Sequence, residues 1–486
     1  MSVSRAPMPR RWSVVTVALG LLALVQFRFQ RQFVKKGNYF GHLQLFTTTA
    51  SRPTTLESES SALVAAQAQI DFWVQELTHT PLRYYMYDDP AIAQPDATAK
   101  LLQEGKAPYQ TEEVFFEIQV LEILRLHPLD ESGPLTASAS ATINHTQPPS
   151  LRVADPAVAD IYILPSGTGT LIYGGPSWKG PSSAWEKSLK ALLDHPLFQS
   201  TMGHRHVLFS MPHPFYTCET YGRLKWLGLH KAFPALWNVT IATDLDWANN
   251  WYIRHHGLAA GHDFASAFRP PVSRYSFSLG LYALQRLPLV EASYEKFSTA
   301  VYEIFYRSRV TESMNNSTVY RHAPFRPDVL AALSNHNNNH SIGHDLPKDE
   351  WLDHFQNSKF CLAIRGDSPH SHALLRSVKV GCLPVIVSDF WPLYAPTLGR
   401  FVNVTDFSVL IPEAEFMADP ATALRRLRDL DESVVREKLL WLAFAQRLFF
   451  AEHPQSLFVP ALVSQAWHAS KVDLLGPNFV NLCNQS

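Results

Sequence analysis

The stretch that decides the fold is Ser358-Lys359-Phe360-Cys361-Leu362-Ala363-Ile364-Arg365-Gly366-Asp367-Ser368-Pro369, running on to Gly381-Cys382-Leu383-Pro384-Val385-Ile386-Val387-Ser388-Asp389. Phe360 to Ile364 is a short apolar run closed by a turn signal, the pattern of a buried parallel strand. Arg365 to Pro369 is a loop, in which Asp367 or Ser368 can cap a helix and Pro369 suits its first position. The helix is expected from about His370 to Val380, with Ala373, Leu374 and Val378 inward and Gly381 as its C-cap. Leu383 to Val387 is a second buried strand. A βαβ unit of this kind puts a helix N-terminus at the carboxyl end of a parallel strand, where α/β folds bind anions. Arg365 adds a fixed positive charge with two parallel donors.

These residues resemble the signature of the exostosin family of Golgi glycosyltransferases. The matches are Ser358-Lys359-Phe360-Cys361-Leu362, Arg365-Gly366-Asp367-Ser368, Ser371, Leu374, Gly381-Cys382, Pro384-Val385-Ile386 and Ser388-Asp389. The resemblance implies a GT-B architecture: an α/β chain with two Rossmann-like domains holding a nucleotide sugar between them. It also implies that Arg365, Gly366, Asp367, Ser368 and Ser371 contact the donor. Three positions depart from the family pattern. Ile364 replaces a proline. His372-Ala373 stand near the usual arginine. Arg376 occupies a position that is acidic in the family and that in GT-B enzymes commonly holds the donor ribose.

Upstream, strands and helices alternate, which argues for a parallel sheet covered on both faces. Arg83 to Tyr87 is an aromatic strand closed by Asp88-Asp89-Pro90, and Thr111 to His127 an amphipathic helix. Asp155-Pro156 opens a turn before a strand from Ile161 to Leu164, and that stretch is the second-best match to the family. Further strands are expected at His206–Ser210 and Val239–Thr243. Arg274 to Gly280 resembles the strand that opens the family's second domain. Ala292 to Arg309 reads as one helix with Tyr294, Phe297, Val301, Ile304 and Phe305 on a face. Helices are also expected at 351–357, 421–430 and 433–450, and in a GT-B fold a helix between about Leu440 and Trp467 would cross back onto the first domain.

The 486 residues are enough for two domains, and a net charge of -1 gives no electrostatic case for nucleic-acid binding. Trp12 to Phe27 is an apolar run flanked by Arg10, Arg11, Arg28 and Arg31. No small-x-small cleavage site follows it, so a retained signal anchor is expected rather than a cleaved signal peptide. The expected organisation is a cytosolic tail (1–11), a transmembrane anchor (12–28) and a stem (29–80). A first, acceptor domain (81–270), a second, donor domain (271–470) and a short tail (471–486) follow. Sequons begin at Asn144, Asn238, Asn315, Asn316, Asn339, Asn403 and Asn484. Together with the anchor they favour a single-pass type II protein whose body faces the Golgi lumen. Of the four cysteines, Cys361 and Cys382 flank core strands and read as buried thiols, while a Cys218–Cys483 bridge stays open.

A glycosyltransferase must stabilise a departing diphosphate. With a metal-free site, as the resemblance implies, cations and amides do this. Arg365 and the amides of Gly366 to Ser368 are the candidates, and Arg286 is either a further phosphate contact or a plain surface arginine. Asp244-Leu245-Asp246 forms D-x-D, and His336 and His340 are four residues apart, but neither pattern is read as a metal site. An inverting enzyme needs a base, for which His213, Asp244 and Asp246 are the candidates because each follows a first-domain strand. No permanent cofactor is expected, only a nucleotide-sugar co-substrate, UDP-linked. The implied partners are a glycan or cell-wall polysaccharide acceptor, the Golgi membrane and, as a hetero-oligomer, other glycosyltransferases. The alternative function is a catalytically impaired relative that binds carbohydrate or builds a complex. Arg376 is the residue that separates the two.

Overall fold

The computed structural model describes residues 56–93, 111–130, 151–165, 183–210, 238–243, 275–279, 287–308, 330, 333, 340–343, 346–364, 372–388, 391, 398 and 400–471. Two fully parallel sheets organise them. The first has seven strands in the order β2-β3-β1-β4-β5-β6-β7. These are β1 (Tyr84–Met86), β2 (Leu129–Asp130), β3 (Arg152–Val153), β4 (Ile161–Ile163), β5 (His206–Ser210), β6 (Thr240–Thr243) and β7 (Tyr275–Ser278). The second has five in the order β12-β11-β10-β8-β9. They are β8 (Tyr302–Arg307), β9 (His340–Gly343), β10 (Ser358–Ile364), β11 (Leu383–Val387) and β12 (Val409–Leu410). The architecture is the expected α/β class with two Rossmann-like sheets.

Around the sheets lie α1 (Leu56–Thr78), α2 (Thr111–Leu126), α3 (Ser183–Asp194), α4 (Tyr294–Thr299), α5 (Lys348–Gln356), α6 (Ala373–Lys379), α7 (Pro420–Arg428), α8 (Glu432–Phe449) and α9 (Phe458–Ala469). Helix α1 lies inside the expected stem, where Ala66, Ile70 and Leu77 give it a buried stripe at helical spacing. Trp73 on the same helix meets Phe401 edge to face at 5.3 Å. Near the C-terminus the chain crosses back as expected. Helix α8 packs on α6 and β11, and α9 packs on β4, β6 and β7 of the first sheet.

Three expectations need correction. Residues 292–309 are not one helix. Helix α4 stops at Thr299, Val301 is 67% exposed, and the rest is strand β8 with Ile304, Phe305 and Tyr306 buried. A run of aromatic and β-branched residues buried on both faces satisfies a central parallel strand better than a helix. Next, β7 pairs with β6 at the edge of the first sheet, so the second sheet opens at Tyr302 and not near Arg274. Finally, Cys361 and Cys382 are not free thiols. They form a disulfide with Cα atoms 5.9 Å apart. Parallel pairing of Phe360 with Leu383 sets these cysteines on adjacent chain segments, in a small cluster with Phe305, Phe355 and Val380. Cys218 and Cys483 lie outside the described residues.

Among the described residues no helix is long and apolar enough to cross a membrane. The expected anchor, 12–28, lies outside them.

Candidate functional site

The second sheet has a topological switch point. Strand β8 comes first in the chain, β9 is added on one side of it, and β10 followed by β11 and β12 is added on the other. Ligands of open parallel sheets bind where the strand order diverges, outside the carboxyl ends of the strands. Here that crevice lies beyond Arg307 of β8 and Ile364 of β10, and the residue after Ile364 is Arg365.

The frame around that point is closely fixed. Strand β10 pairs with β11 from Phe360↔Leu383 through Ile364↔Val387, and every residue of β11 is buried. Helix α6 between them ends in a Schellman motif: Gly381 N–H donates to Val378 O at 3.1 Å and Cys382 N–H to Ser377 O at 3.0 Å. Gly381 has φ +63°, and a Cβ there would lie 2.6 Å from Val290 O, so glycine is required on both counts. Gln446 of α8 is fully buried and locks the same corner. Its Nε2 donates to Val378 O (2.7 Å) and Val290 O (2.8 Å), and its Oε1 accepts from Ala292 N–H (3.0 Å).

Helix α6 starts later than the sequence suggests, at Ala373, with His372 as N-cap and no side-chain capping bond. Of the sequence-predicted site residues, the structure describes Arg376 alone. It is half-buried on α6, between the buried Leu375 and Ser377. Arg365, Gly366, Asp367, Ser368, Ser371, Arg286, His213, Asp244 and Asp246 lie outside the described residues. In the chain, His213 follows β5, Asp244 and Asp246 follow β6, and Arg365 to Ser371 join β10 to α6.

Sequence reasoning missed Arg307, which ends β8 at the switch point. Its Nε and Nη2 donate to Ser341 Oγ at 3.2 and 3.1 Å. Ser341 Oγ is 2.8 Å from His354 Nδ1, and His354 Nε2 is 2.8 Å from Tyr302 OH. The roles that satisfy every partner are Arg307 to Ser341, Ser341 to Nδ1, and Nε2–H to Tyr302. Burial pulls the Arg307 pKa below its ordinary value. Gly343 sits opposite Arg307 in register with φ +151°, and a Cβ there would lie 2.7 Å from Arg307 Nη1. Glycine on β9 thus leaves room for that guanidinium. The signal was legible as an arginine closing a short aromatic run, had Tyr302 to Arg307 been read as a strand buried on both faces.

A cavity of about 310 Å³ lined by Tyr294, Phe297, Glu303, Lys359, Arg428 and Glu432 lies elsewhere. Val301, Glu303, Lys359 and Phe360 around it stand at the amino ends of β8 and β10, the opposite edge of the sheet. Among the described residues no group of three His, Cys, Asp or Glu side chains could hold a metal. His340 instead faces Glu303, with Nδ1 3.9 Å from Oε2.

Residues 305–427, from the middle of β8 into α7, match the family model described as the Exostosin GT47 domain. A 118-residue stretch is 26% identical to the Exostosin-1 homolog of Caenorhabditis elegans, covering 22% of this chain and 30% of that protein. A 91-residue stretch is 30% identical to an Arabidopsis thaliana protein described as a probable glycosyltransferase, covering 18% of this chain and 17% of that one. The chain thus matches less than a third of the length of each of these relatives. Among solved structures, a chain of the GtfA/B complex crystal structure aligns with a TM-score of 0.28 and 10% identity, over 65% of this chain and 58% of that one. A likeness that low carries no argument.

Proposed function

We propose that this chain, through residues 305–427 a member of the exostosin family, moves a sugar from a nucleotide sugar to a glycan or cell-wall polysaccharide in the Golgi lumen. The observation that carries the reading is a coincidence of position. The family match spans the β8/β10 switch point, the part of a parallel sheet where anionic nucleotides bind.

In this reading Arg365 and the amides of Gly366 to Ser368 take the negative charge that grows on the departing diphosphate, UDP in the proposed donor. Ser371 and Arg286 are further donor contacts, and Arg307 lends a second guanidinium at the same sheet edge. The acceptor hydroxyl comes from the side of the first sheet. His213, Asp244 or Asp246, beyond the carboxyl ends of β5 and β6, serves as base if the anomeric centre inverts.

The Cys361–Cys382 disulfide supports a luminal body, because disulfides persist in oxidising compartments and are rare where thiols are kept reduced. The apolar run at 12–27 and the sequons agree with a type II membrane anchor. Arg376 favours one second reading. A guanidinium accepts no hydrogen bond from ribose hydroxyls, so a carbohydrate-binding or complex-forming subunit without turnover is the alternative.

The test is turnover of the purified body on a panel of nucleotide sugars with and without oligosaccharide acceptors. The proposal expects acceptor-dependent release of nucleoside diphosphate from one donor. Carbohydrate binding with no release from any donor would replace it with the non-catalytic reading.

A further inference from the structure

Two N-x-[ST] sequons fall wholly within the described residues, and the fold treats them in opposite ways. The first is Asn238-Val239-Thr240. Asn238 is half-buried, and its Nδ2 donates to Met202 O at 2.9 Å. Val239 is 1% exposed and Thr240 fully buried. Thr240 starts β6, between Val207 of β5 and Tyr275 of β7. The acceptor amide is therefore spent on closing the turn at Met202, and both following residues are inside the sheet.

The second is Asn403-Val404-Thr405. Asn403 and Thr405 are both exposed, while Val404 between them is buried and anchors the segment. The turn is closed independently of the Asn403 amide. Asn403 N–H donates to Asp406 Oδ2 at 2.8 Å, and Asp406 N–H donates to Asn403 O at 2.9 Å. Lys438 Nζ of α8 ties it down through Thr405 O (2.9 Å) and Ser408 O (2.8 Å).

We propose that Asn403 carries an N-linked glycan and that Asn238 does not. The donor class is a polyprenyl-diphosphate-linked oligosaccharide. A bond forms between Nδ2 and the anomeric carbon, and the anomeric C–O bond breaks. The diphosphate leaves with the electron pair, and one amide proton is lost to the transferase. A chain that carries a glycan must accommodate it in its native state, so the fold decides which occupied sequon a folded protein can retain. A glycan at Asn403 projects into solvent from a rigid turn, and one at Asn238 must lodge against the Met202 carbonyl at the mouth of β6. The inference rests on the luminal reading above.

The experiment is expression of the full chain in a eukaryotic secretory cell. Peptide-N-glycosidase treatment in heavy-oxygen water and peptide mapping follow, so that each occupied asparagine becomes a labelled aspartate. Label at Asn403 and none at Asn238 is the expected result, with Asn403→Gln and Thr405→Ala each removing one glycan step on a gel and Thr405→Ser keeping it. No label at Asn403 while other sequons are labelled overturns this inference and leaves the luminal reading standing. Equal label at Asn238 and Asn403 overturns the discrimination between them. No label at any sequon overturns the luminal reading and this inference together.

Discussion

The amide Nε2 of Gln446 lies 2.7 Å from the carbonyl of Val378, so the long helix α8 braces the last turn of the helix that follows the signature loop. The same side chain serves Ala292 N–H and Val290 O, with no solvent access. Gln446→Leu removes every one of these bonds while keeping most of the volume. Val378 O keeps Gly381 N–H, but Ala292 N–H and Val290 O lose their Gln446 partner, and each buried backbone group so orphaned costs about 1 to 3 kcal/mol. We expect a loss of about 3 kcal/mol in urea unfolding, against less than about 0.5 kcal/mol for an exposed helix position such as Glu76→Gln on α1. An unchanged midpoint would show that water or rearrangement satisfies the corner.

The disulfide gives a second prediction. Cys361 and Cys382 are separated by 21 positions, and closing a loop of that size in the unfolded chain stabilises the fold by about 3 kcal/mol. The double variant Cys361→Ala/Cys382→Ala, or the unmodified protein under strong reductant, should unfold at a lower temperature. Identical melting curves with and without reductant would contradict the bond.

A third concerns pH. His206 is fully buried, with Tyr87 OH 2.6 Å from Nε2 and His204 O 3.1 Å from Nδ1. Its Nδ1–H donates to His204, and its bare Nε2 accepts from Tyr87, which fixes the neutral ring. Burial pulls its pKa down from 6.5 to about 3. A proton therefore binds the unfolded chain first as pH falls. The stability is complete above about pH 6.5 and is lost progressively between 6.5 and 3, at up to about 1.4 kcal/mol per pH unit. Urea titrations at pH 7 and pH 5 should differ by about 2 kcal/mol, and the difference should shrink in His206→Asn. A pH-independent midpoint across that window would refute the assignment.

Arg376 supplies the fourth. It stands half-buried on α6, at the position that the exostosin resemblance implies to be acidic. A carboxylate there accepts from two ribose hydroxyls, which a guanidinium cannot do. Arg376→Glu should tighten binding of a UDP-sugar by about tenfold, the worth of one charged hydrogen bond of about 1.5 kcal/mol. Calorimetric titration of both proteins decides it. Equal affinities would mean that another residue holds the ribose.

Much of this was legible in the sequence where apolar pattern and punctuation agree. Phe360 to Ile364, Gly381 and Leu383 to Val387 read correctly because both strands are buried on both faces and the glycine has a positive φ to satisfy. The return of α9 to the first sheet followed from the resemblance. Strand β8 was missed because Tyr294, Phe297, Val301 and Ile304 mimic a helical face across a boundary at Thr299, and only burial on both sides of Ile304 to Tyr306 resolves it. The disulfide was missed because strand register, which spacing does not reveal, is what brings Cys361 to Cys382. Arg307 escaped for the same reason as its strand.

The most direct test of the central claim, that the loop after Ile364 is the donor-phosphate site, is calorimetric titration of UDP and its sugar conjugates into the unmodified protein and Arg365→Ala. Loss of one charged, two-pronged contact should weaken binding by about 1.5 to 3 kcal/mol, roughly tenfold to hundredfold, with an unchanged melting temperature. Binding equal in the two proteins would contradict the assignment of the phosphates to this loop, and binding in neither would contradict the transferase itself.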